Sequence, residues 1–231
     1  MLKKILKQAW QSLTPRWKPS YAQCGEDIIL DFLFSSLLRE KGFFVDIGAN
    51  DPVKYNNTYS LYRAGWRGVN IDPQISCISK FKKVRPGDSN LNIGVGEKSG
   101  FADFFVMVPN TLSTFDESLA KDYIEMGHKL EEKKRIPIKS VGDLIKEKVL
   151  PLKIDLLSLD TEGGELSFLK QFIAAGVYPD VVICETAEYA ASIQKTVKET
   201  SLIEEIKSLG YTVFADTYLN TIFTREKLLE L

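Results

Sequence analysis

Short apolar runs alternate with amphipathic stretches along most of the chain. Four runs with few polar residues are typical of buried strands in a parallel sheet: 43–47, 66–71, 154–159 and 181–184. Helical spacing of apolar residues predicts helices at 26–39, 57–64, 75–84, 141–149, 165–175 and 201–209. Further strands are predicted at 90–95, 101–108, 136–138, 212–215 and 221–224, and a helix is predicted over 117–132.

This order of elements predicts the fold class. Strands that alternate with helices form a mostly parallel sheet with helices on both faces. Two consecutive strands at the end of the chain indicate that the last strand returns antiparallel. We therefore predict an α/β, Rossmann-like domain with a seven-stranded sheet and an antiparallel C-terminal strand, spanning residues 20–231.

Residues 1–19 are predicted to form a separate basic helix and linker that ends near Pro19. The basic residues occur there without any acidic residue: Lys3, Lys4, Lys7, Arg16 and Lys18. Apolar residues recur between them at helical spacing, and a basic amphipathic helix can lie on an anionic membrane surface. The alternative is docking on the domain or on a second subunit of a homo-oligomer. We favour docking, because one short helix binds a membrane only weakly.

Composition argues against several classes of protein. A net charge of −1 gives no overall electrostatic footprint for nucleic acid. The three cysteines lack metal-ligand spacing, which argues against a zinc site or a disulfide framework and favours a reducing cytoplasm. No apolar run approaches the roughly 18 to 20 residues that cross a bilayer. We expect a cytoplasmic protein, with peripheral contact at the inner membrane surface through residues 1–18 as an open alternative.

Polar residues follow the first two predicted strands, at the edge where open α/β sheets bind ligands. The sequence VDIGAN (45–50) carries Asp46 and Gly48 but lacks the three glycines that cradle a diphosphate. An acidic residue there suits a ligand with an amino group, and S-adenosylmethionine has an amino-acid end and no phosphate. Asp72 ends the second strand, where a carboxylate can accept hydrogen bonds from both ribose hydroxyls of an adenosine. Either residue alone could stabilise a turn, but together they favour a cofactor site.

A third motif, LSLDTEGGEL (157–166), places carboxylates at the end of another strand. Asp160 and Glu162 point to the same side of an extended strand end, whereas the helix dipole can account for Glu165. Glu185 ends the following strand and would stand beside them. Asp160, Glu162 and Glu185 could bind a divalent cation such as Mg²⁺, or one of them could remove a proton from an acceptor.

At these motifs the sequence resembles the FkbM family of S-adenosylmethionine-dependent methyltransferases. The resemblance runs from about residue 20 to residue 223 and includes, in order, YAQCGED (21–27), FFVDIGANDP (43–52), NNTYSLYRAGWRGVNIDP (56–73), LNIGVGEKSG (91–100), STF (113–115) and IDLLSLDTEGGEL (154–166). It implies a Rossmann-like fold and methyl transfer, usually to oxygen. The acceptors that it implies are often sugars of surface polysaccharides, glycolipids or natural products.

The resemblance also implies roles for individual residues. The implied cofactor residues are Asp46, Gly48, Asn50 and Asp72, with Ser113 and Thr114 in a loop over the adenine or the acceptor. The implied catalytic or metal-linked residues are Asp160 and Glu162, with Gln23 and Asp27 at the rim of the site. Relatives often carry His in place of Asp51 and Glu in place of Asp72, and the first departure leaves the acceptor class open. The single histidine, His128, is expected to be a solvated helix residue.

The sequence therefore predicts a methyltransferase that uses S-adenosylmethionine to methylate a sugar hydroxyl on a small-molecule or saccharide acceptor. Asp160, Glu162, or a metal-bound hydroxyl held with Glu185, is expected to take the acceptor proton. Segment 111–135 could form a lid over the acceptor. Two alternatives remain at this point. One is a non-catalytic Rossmann-like scaffold recruited by its N-terminal helix, and the other is an NAD-dependent oxidoreductase, which the missing GxGxxG disfavours.

Overall fold

The computed structural model describes residues 18–161, 163–187 and 197–228. The predicted N-terminal helix lies outside these ranges, as does Glu162. Within the described ranges, no helix is long and apolar enough to cross a membrane.

A seven-stranded sheet forms the centre of the domain, and a three-stranded sheet accompanies it. The strands are β1 (Phe43–Ile47), β2 (Arg67–Ile71), β3 (Ser89–Leu91), β4 (Gly94–Val95), β5 (Gly100–Val108), β6 (Lys129–Lys139), β7 (Leu156–Leu159), β8 (Val181–Glu185), β9 (Tyr211–Asp216) and β10 (Asn220–Arg225). The central sheet has the order β3-β2-β1-β7-β8-β10-β9. β10 runs antiparallel to both of its neighbours, and all other strand pairs in that sheet are parallel, which confirms the predicted fold class.

Helices cover both faces of the central sheet. They are α1 (Glu26–Ser36), α2 (Tyr59–Arg63), α3 (Ile75–Val84), α4 (Glu117–Glu125), α5 (Val141–Lys146), α6 (Glu165–Ala174) and α7 (Thr200–Ser208), with 3₁₀ turns at Asn110–Leu112 and Glu226–Leu228.

Alternation along β1 shows how the two cores are built. Val45 and Ile47 point into a core that includes residues of α5, α6 and α7. Phe44 points into the opposite core, with residues of α1 and α2. Because side chains alternate along a strand, Asp46 shares the face of Phe44. The site carboxylate is thus placed on the α1–α2 side of the sheet.

The smaller sheet, of order β4-β6-β5, differs from the prediction. The single strand predicted at 90–95 is instead β3 and β4, which belong to different sheets. The helix predicted over 117–132 ends at Glu125, and the short strand predicted at 136–138 is only the end of the eleven-residue β6. These predictions were wrong because the charged first part of β6 is largely exposed and lacks apolar alternation. The other described elements agree with the prediction to within three residues at each end.

Candidate active site

A cavity of about 360 Å³ lies at the carboxyl ends of β1, β2, β7 and β8. All the predicted site residues within the described ranges line it: Asp46, Gly48, Asn50, Asp72, Ser113, Thr114, Asp160 and Glu185. Gln23 also lines the cavity, whereas Asp27 is buried and accepts hydrogen bonds from the Ser20 hydroxyl and the Tyr21 N–H. The structure therefore brings the predicted residues together, although their individual roles stay predictions.

The turn after β1 allows two strand ends to approach closely. Gly48 has φ of 83°, in the left-handed region that favours glycine. A Cβ atom on Gly48 would lie 1.7 Å from the carbonyl oxygen of Asp160. The Asp160 N–H donates a 3.0 Å hydrogen bond to the carbonyl of Ile47, which fixes the same contact. Gly48 thus allows Asp46 and Asp160 to reach one cavity.

Asp46 is a buried carboxylate that several donors hold. Its Oδ2 accepts hydrogen bonds from the Thr58 hydroxyl at 2.9 Å and from Asn56 Nδ2 at 3.4 Å. Ser158, its register partner on β7, contributes another side-chain hydrogen bond. Burial raises the pKa of Asp46, and the positive charge of Arg85 together with these hydrogen bonds offsets only part of the effect. A cationic ligand beside Asp46 would favour its ionised form.

Asp72, at the end of β2, is held by two backbone donors. Its Oδ1 accepts from the Gln74 N–H at 2.7 Å, and its Oδ2 accepts from the Asn50 N–H at 2.9 Å. Burial raises the pKa of Asp72 to about 6 despite these bonds, and the nearby charge of Asp46 adds to the increase. Each carboxylate oxygen can still accept a second hydrogen bond, so the group is oriented for a ligand hydroxyl.

Asp160 and Glu185 form a pair of acids at the ends of β7 and β8. Their side chains are joined by a hydrogen bond. Asp160 is exposed to the cavity, but the surrounding protein limits its hydration and raises its pKa, and the charges of Glu165 and Asp46 raise it further. A carboxyl group whose pKa is raised in this way, as in Asp160, is suited to exchange a proton.

Glu165, by contrast, supports the loop that follows β7. Its Oε1 accepts hydrogen bonds from the N–H and the hydroxyl of Thr161, both at 3.0 Å. Its Oε2 accepts from the Gly163 N–H at 3.2 Å. These contacts, together with its position in the first turn of α6, give Glu165 a structural role.

The roof of the cavity comes from the turn that follows β5. Asn110 Nδ2 donates to Asn50 Oδ1 at 2.9 Å, and Gln74 Nε2 donates to the Asn110 carbonyl at 3.2 Å. Ser113 Oγ accepts from the Met107 N–H at 3.0 Å, which holds the turn against β5. Of the predicted lid 111–135, only 111–115 lines the cavity, because most of the remainder forms α4 and β6.

The cavity is acidic and, in the part of the chain that the structure describes, no Lys, Arg or His lines it. Four carboxylic acids do so: Asp46, Asp72, Asp160 and Glu185. Such a surface suits a cationic or neutral ligand and opposes a diphosphate. No group of three or more His, Cys, Asp or Glu residues among the described residues could hold a metal ion. Glu162, one of the three predicted metal ligands, lies outside them.

Two residues singled out in the sequence lie away from the cavity lining. Asp51 accepts hydrogen bonds from the N–H groups of Val53 and Lys54 and pairs with Lys80 at 3.2 Å. His128 is half-buried against the ring of Tyr123, just before β6. The expectation that His128 lies in a helix was wrong, because α4 ends at Glu125.

The residues that support Asp46 from behind were missed by sequence reasoning. Asn56, Thr58, Ser158 and Arg85 are all buried around it. Asn56 and Thr58 lie in one of the motifs that carry the family resemblance, so the sequence did offer a reason to include them in the site. Arg85 follows several exposed lysines and resembles them in sequence, although it is fully buried in the structure.

A known protein family matches most of this chain. The model of the methyltransferase FkbM domain matches residues 46–213, which is most of the chain. The chain therefore belongs to the FkbM methyltransferase family, and it is an S-adenosylmethionine-dependent methyltransferase. No curated protein matches it.

Solved structures with a similar fold include other methyltransferases. A TehB-like S-adenosylmethionine-dependent methyltransferase from Corynebacterium glutamicum is 12% identical, with 96% of this chain and 97% of that chain covered and a TM-score of 0.43. An O-methyltransferase from Bacillus cereus, in complex with S-adenosylhomocysteine, is 12% identical, with 96% and 88% covered and a TM-score of 0.40.

Proposed function

We propose that this methyltransferase binds S-adenosylmethionine in the acidic cavity and methylates a hydroxyl group of a saccharide or a related small molecule. The observation that carries the proposal is a set of carboxylates at four strand ends in a cavity whose described lining has no cationic side chain. Asp72 is oriented for the ribose hydroxyls, and Asp46 is available to the amino group. The sugar acceptor rests on the family resemblance and is the finer part of the proposal.

The chain's own residues would perform the proton chemistry. Bound S-adenosylmethionine supplies an electrophilic methyl group on its sulfonium. The cavity must hold an acceptor hydroxyl in line with that group, and alignment alone can contribute several kcal/mol. Asp160, in its ionised form, accepts the hydroxyl proton as the new bond forms, while the hydrogen bond to Glu185 orients it. Glu162 stays an alternative base.

Titration with S-adenosylhomocysteine tests the cofactor assignment. Wild-type protein should bind it with micromolar affinity, and Asp72→Ala should weaken binding by tenfold or more, about 1.4 kcal/mol. Asp72→Glu keeps the carboxylate and should retain most of the affinity. Asp51→Asn is the matched control, because Asp51 neighbours the cofactor turn without lining the cavity. Folded wild-type protein that does not bind would contradict the proposal.

Release of S-adenosylhomocysteine with a panel of saccharide acceptors tests the base. Asp160→Asn should abolish turnover while its affinity for S-adenosylhomocysteine stays within about twofold of wild type. A variant that remains active would remove Asp160 from the mechanism. The same assay with and without EDTA tests the prediction that a divalent cation takes part, since a metal-assisted reaction would stop on chelation.

A separate experiment tests the role of the N-terminal segment. Residues 1–18 remain predicted to dock on the domain or on a second subunit, with peripheral membrane contact as the alternative. Deletion of these residues, followed by sizing in solution and by sedimentation with anionic lipid vesicles, separates these cases. Loss of vesicle binding on deletion would favour the membrane, and a change of oligomeric state would favour docking between subunits.

A further inference from the structure

Arg85 is a fully buried cation at the end of α3 that the proposed mechanism does not use. Its guanidinium lies 5.0–5.2 Å from the ring centroids of Phe44, Tyr62 and Phe81. Its Nε pairs with Asp88 at 2.9 Å, and both of these side chains are fully buried. Burial of a charge is costly unless it is paired and hydrogen-bonded, so the position of Arg85 requires an explanation beyond packing alone.

Nη1 of Arg85 is directed toward the cavity carboxylate through two intermediaries, whereas Nη2 has no hydrogen-bond partner among the described residues. Arg85 Nη1 donates to Thr58 Oγ1 at 3.0 Å and to Asn56 Oδ1 at 3.1 Å. No direct ion pair joins Arg85 to Asp46 among the described residues. The guanidinium therefore acts on Asp46 through hydrogen bonds and through its field.

The direction of these hydrogen bonds follows from counting protons. Thr58 has one hydroxyl proton, and two acceptors lie in range: Asp46 Oδ2 at 2.9 Å and Asn56 Oδ1 at 3.0 Å. The Asn56 oxygen already accepts from Arg85, and an ionised carboxylate is the stronger acceptor. The proton of Thr58 is therefore directed at Asp46, which forms a relay from Arg85 through Thr58 to Asp46.

We propose that this Arg85–Thr58 relay orients Asp46 and stabilises its negative charge, so that Asp46 can receive the amino group of the cofactor. Arg85 and Thr58 are positioning residues, because neither lines the cavity. The inference rests on the proposed function, in which Asp46 binds the amino end of S-adenosylmethionine.

The charged groups around Asp46 make such a relay necessary. Two other carboxylates, Asp72 and Asp160, raise its electrostatic cost, and burial disfavours its charge. Arg85 is the cation that opposes them, and Ser158 adds a hydrogen bond from β7. Loss of the Thr58 hydroxyl would raise the pKa of Asp46 further, which disfavours its ionised form.

Two ligands distinguish the contribution of the amino-acid end of the cofactor to binding from that of its nucleoside. S-adenosylhomocysteine carries the amino group, whereas 5′-methylthioadenosine keeps the nucleoside and lacks the amino-acid end. In Thr58→Val, which conserves shape and removes the hydroxyl, binding of S-adenosylhomocysteine at pH 7 should weaken by about tenfold. Binding of 5′-methylthioadenosine should stay within about twofold of wild type, and Thr58→Ser should behave as wild type with both ligands.

The pH dependence adds a readout that a purely structural role would not give. The deficit of Thr58→Val for S-adenosylhomocysteine should shrink as the pH is raised, because a higher pH favours the ionised form of Asp46. If Thr58→Val does not fold, Arg85→Lys keeps the charge beside Asp88, loses the forked donors, and should show the same ligand selectivity.

Three results would overturn the relay. They are equal losses for the two ligands, a deficit that is independent of pH, and wild-type affinity in a folded Thr58→Val variant. A wild-type protein that binds 5′-methylthioadenosine but not S-adenosylhomocysteine would also overturn it, because Asp46 would then not receive an amino group. Failure of wild type to bind either ligand would instead contradict the proposed function.

Discussion

The two edges of the central sheet both carry carboxylates, and those at the amino edge pair directly with an arginine. At the amino edge, Asp155 and Asp180 precede β7 and β8, and Arg39 Nη1 contacts a carboxylate oxygen of each at 2.6 Å. Asp155 also accepts a hydrogen bond from the Phe43 N–H at 2.7 Å. At the carboxyl edge, Asp72 and Asp160 meet no cationic side chain in the described lining of the cavity.

The difference separates structural carboxylates from those that are available to a ligand. At the amino edge, two ion pairs and the hydrogen bond from Phe43 connect the starts of three strands, and both carboxylates pair with Arg39. At the carboxyl edge, the charges of Asp46, Asp72 and Asp160 repel one another, and each pKa is raised. This arrangement costs stability in the free protein, and a ligand with positive charge and hydroxyl donors would recover it.

Arg39→Met should have the largest effect on stability. It removes the shared partner of Asp155 and Asp180, and loss of one member of a buried pair costs roughly 3 kcal/mol in the free energy of unfolding. Denaturant titration measures the loss. Affinity for S-adenosylhomocysteine should stay unchanged, because Arg39 acts at the opposite edge of the sheet.

Lys133→Met provides the matched control for Arg39→Met. Lys133 pairs with Asp103 at 2.8 Å in the smaller sheet, but about half of each side chain is exposed. Exposed pairs contribute about 0–1 kcal/mol, so this variant should unfold almost as wild type does. An equal loss of unfolding free energy in the two variants would mean that the ion pairs of Arg39 stabilise the protein no more than an exposed surface pair does.

Asp160→Asn should raise the melting temperature of the free protein by a few degrees at neutral pH, although it should abolish turnover. The carboxyl of Asp160 has a raised pKa in the folded state, so ionisation of this group opposes folding. Below about pH 4 the group is protonated in both states and the variant has no advantage. The advantage should appear as pH rises from about 4 to 6 and stay constant above that range.

Asp51→Asn is the control with the opposite sign. Burial alone would raise the pKa of Asp51, but hydrogen bonds from the Lys54 and Val53 N–H groups and from Lys80 lower it overall. Its ionised form therefore favours folding at neutral pH, and the variant should melt below wild type there. Scanning calorimetry between pH 4 and pH 8 checks both signs, and a rise in both variants would refute the argument.

The central sheet could be predicted from sequence because its strands are short, apolar and followed by polar residues. Ile47 and Ile71 lie just before the site turns, so the pattern also located Asp46 and Asp72. The same reasoning placed Asp160 and Glu185 at neighbouring strand ends, and both line the cavity in the structure.

The smaller sheet and the inner support of the site could not be predicted in this way. β6 is stabilised by pairing with β5 along its length, and its charged residues point to solvent, so no apolar period marks it. Arg85 lies in the core because Asp88 and three aromatic rings surround it, and those contacts exist only after the chain has folded. Both features depend on contacts between residues that are distant in sequence, and the local pattern of apolar residues does not indicate such contacts.

The affinity of the wild type for the cofactor should also depend on pH. Asp72 has a pKa of about 6 in the free protein, and ribose hydroxyls donate best to its ionised form. If only that form binds, affinity for S-adenosylhomocysteine should be constant above pH 7, about twofold weaker at pH 6 and about tenfold weaker at pH 5. Titrations at pH 6 in two buffers of different ionisation enthalpy should show that binding releases about half a proton. If the affinity instead stays constant from pH 5 to pH 8 and no proton is released, cofactor binding does not require the ionised form of Asp72.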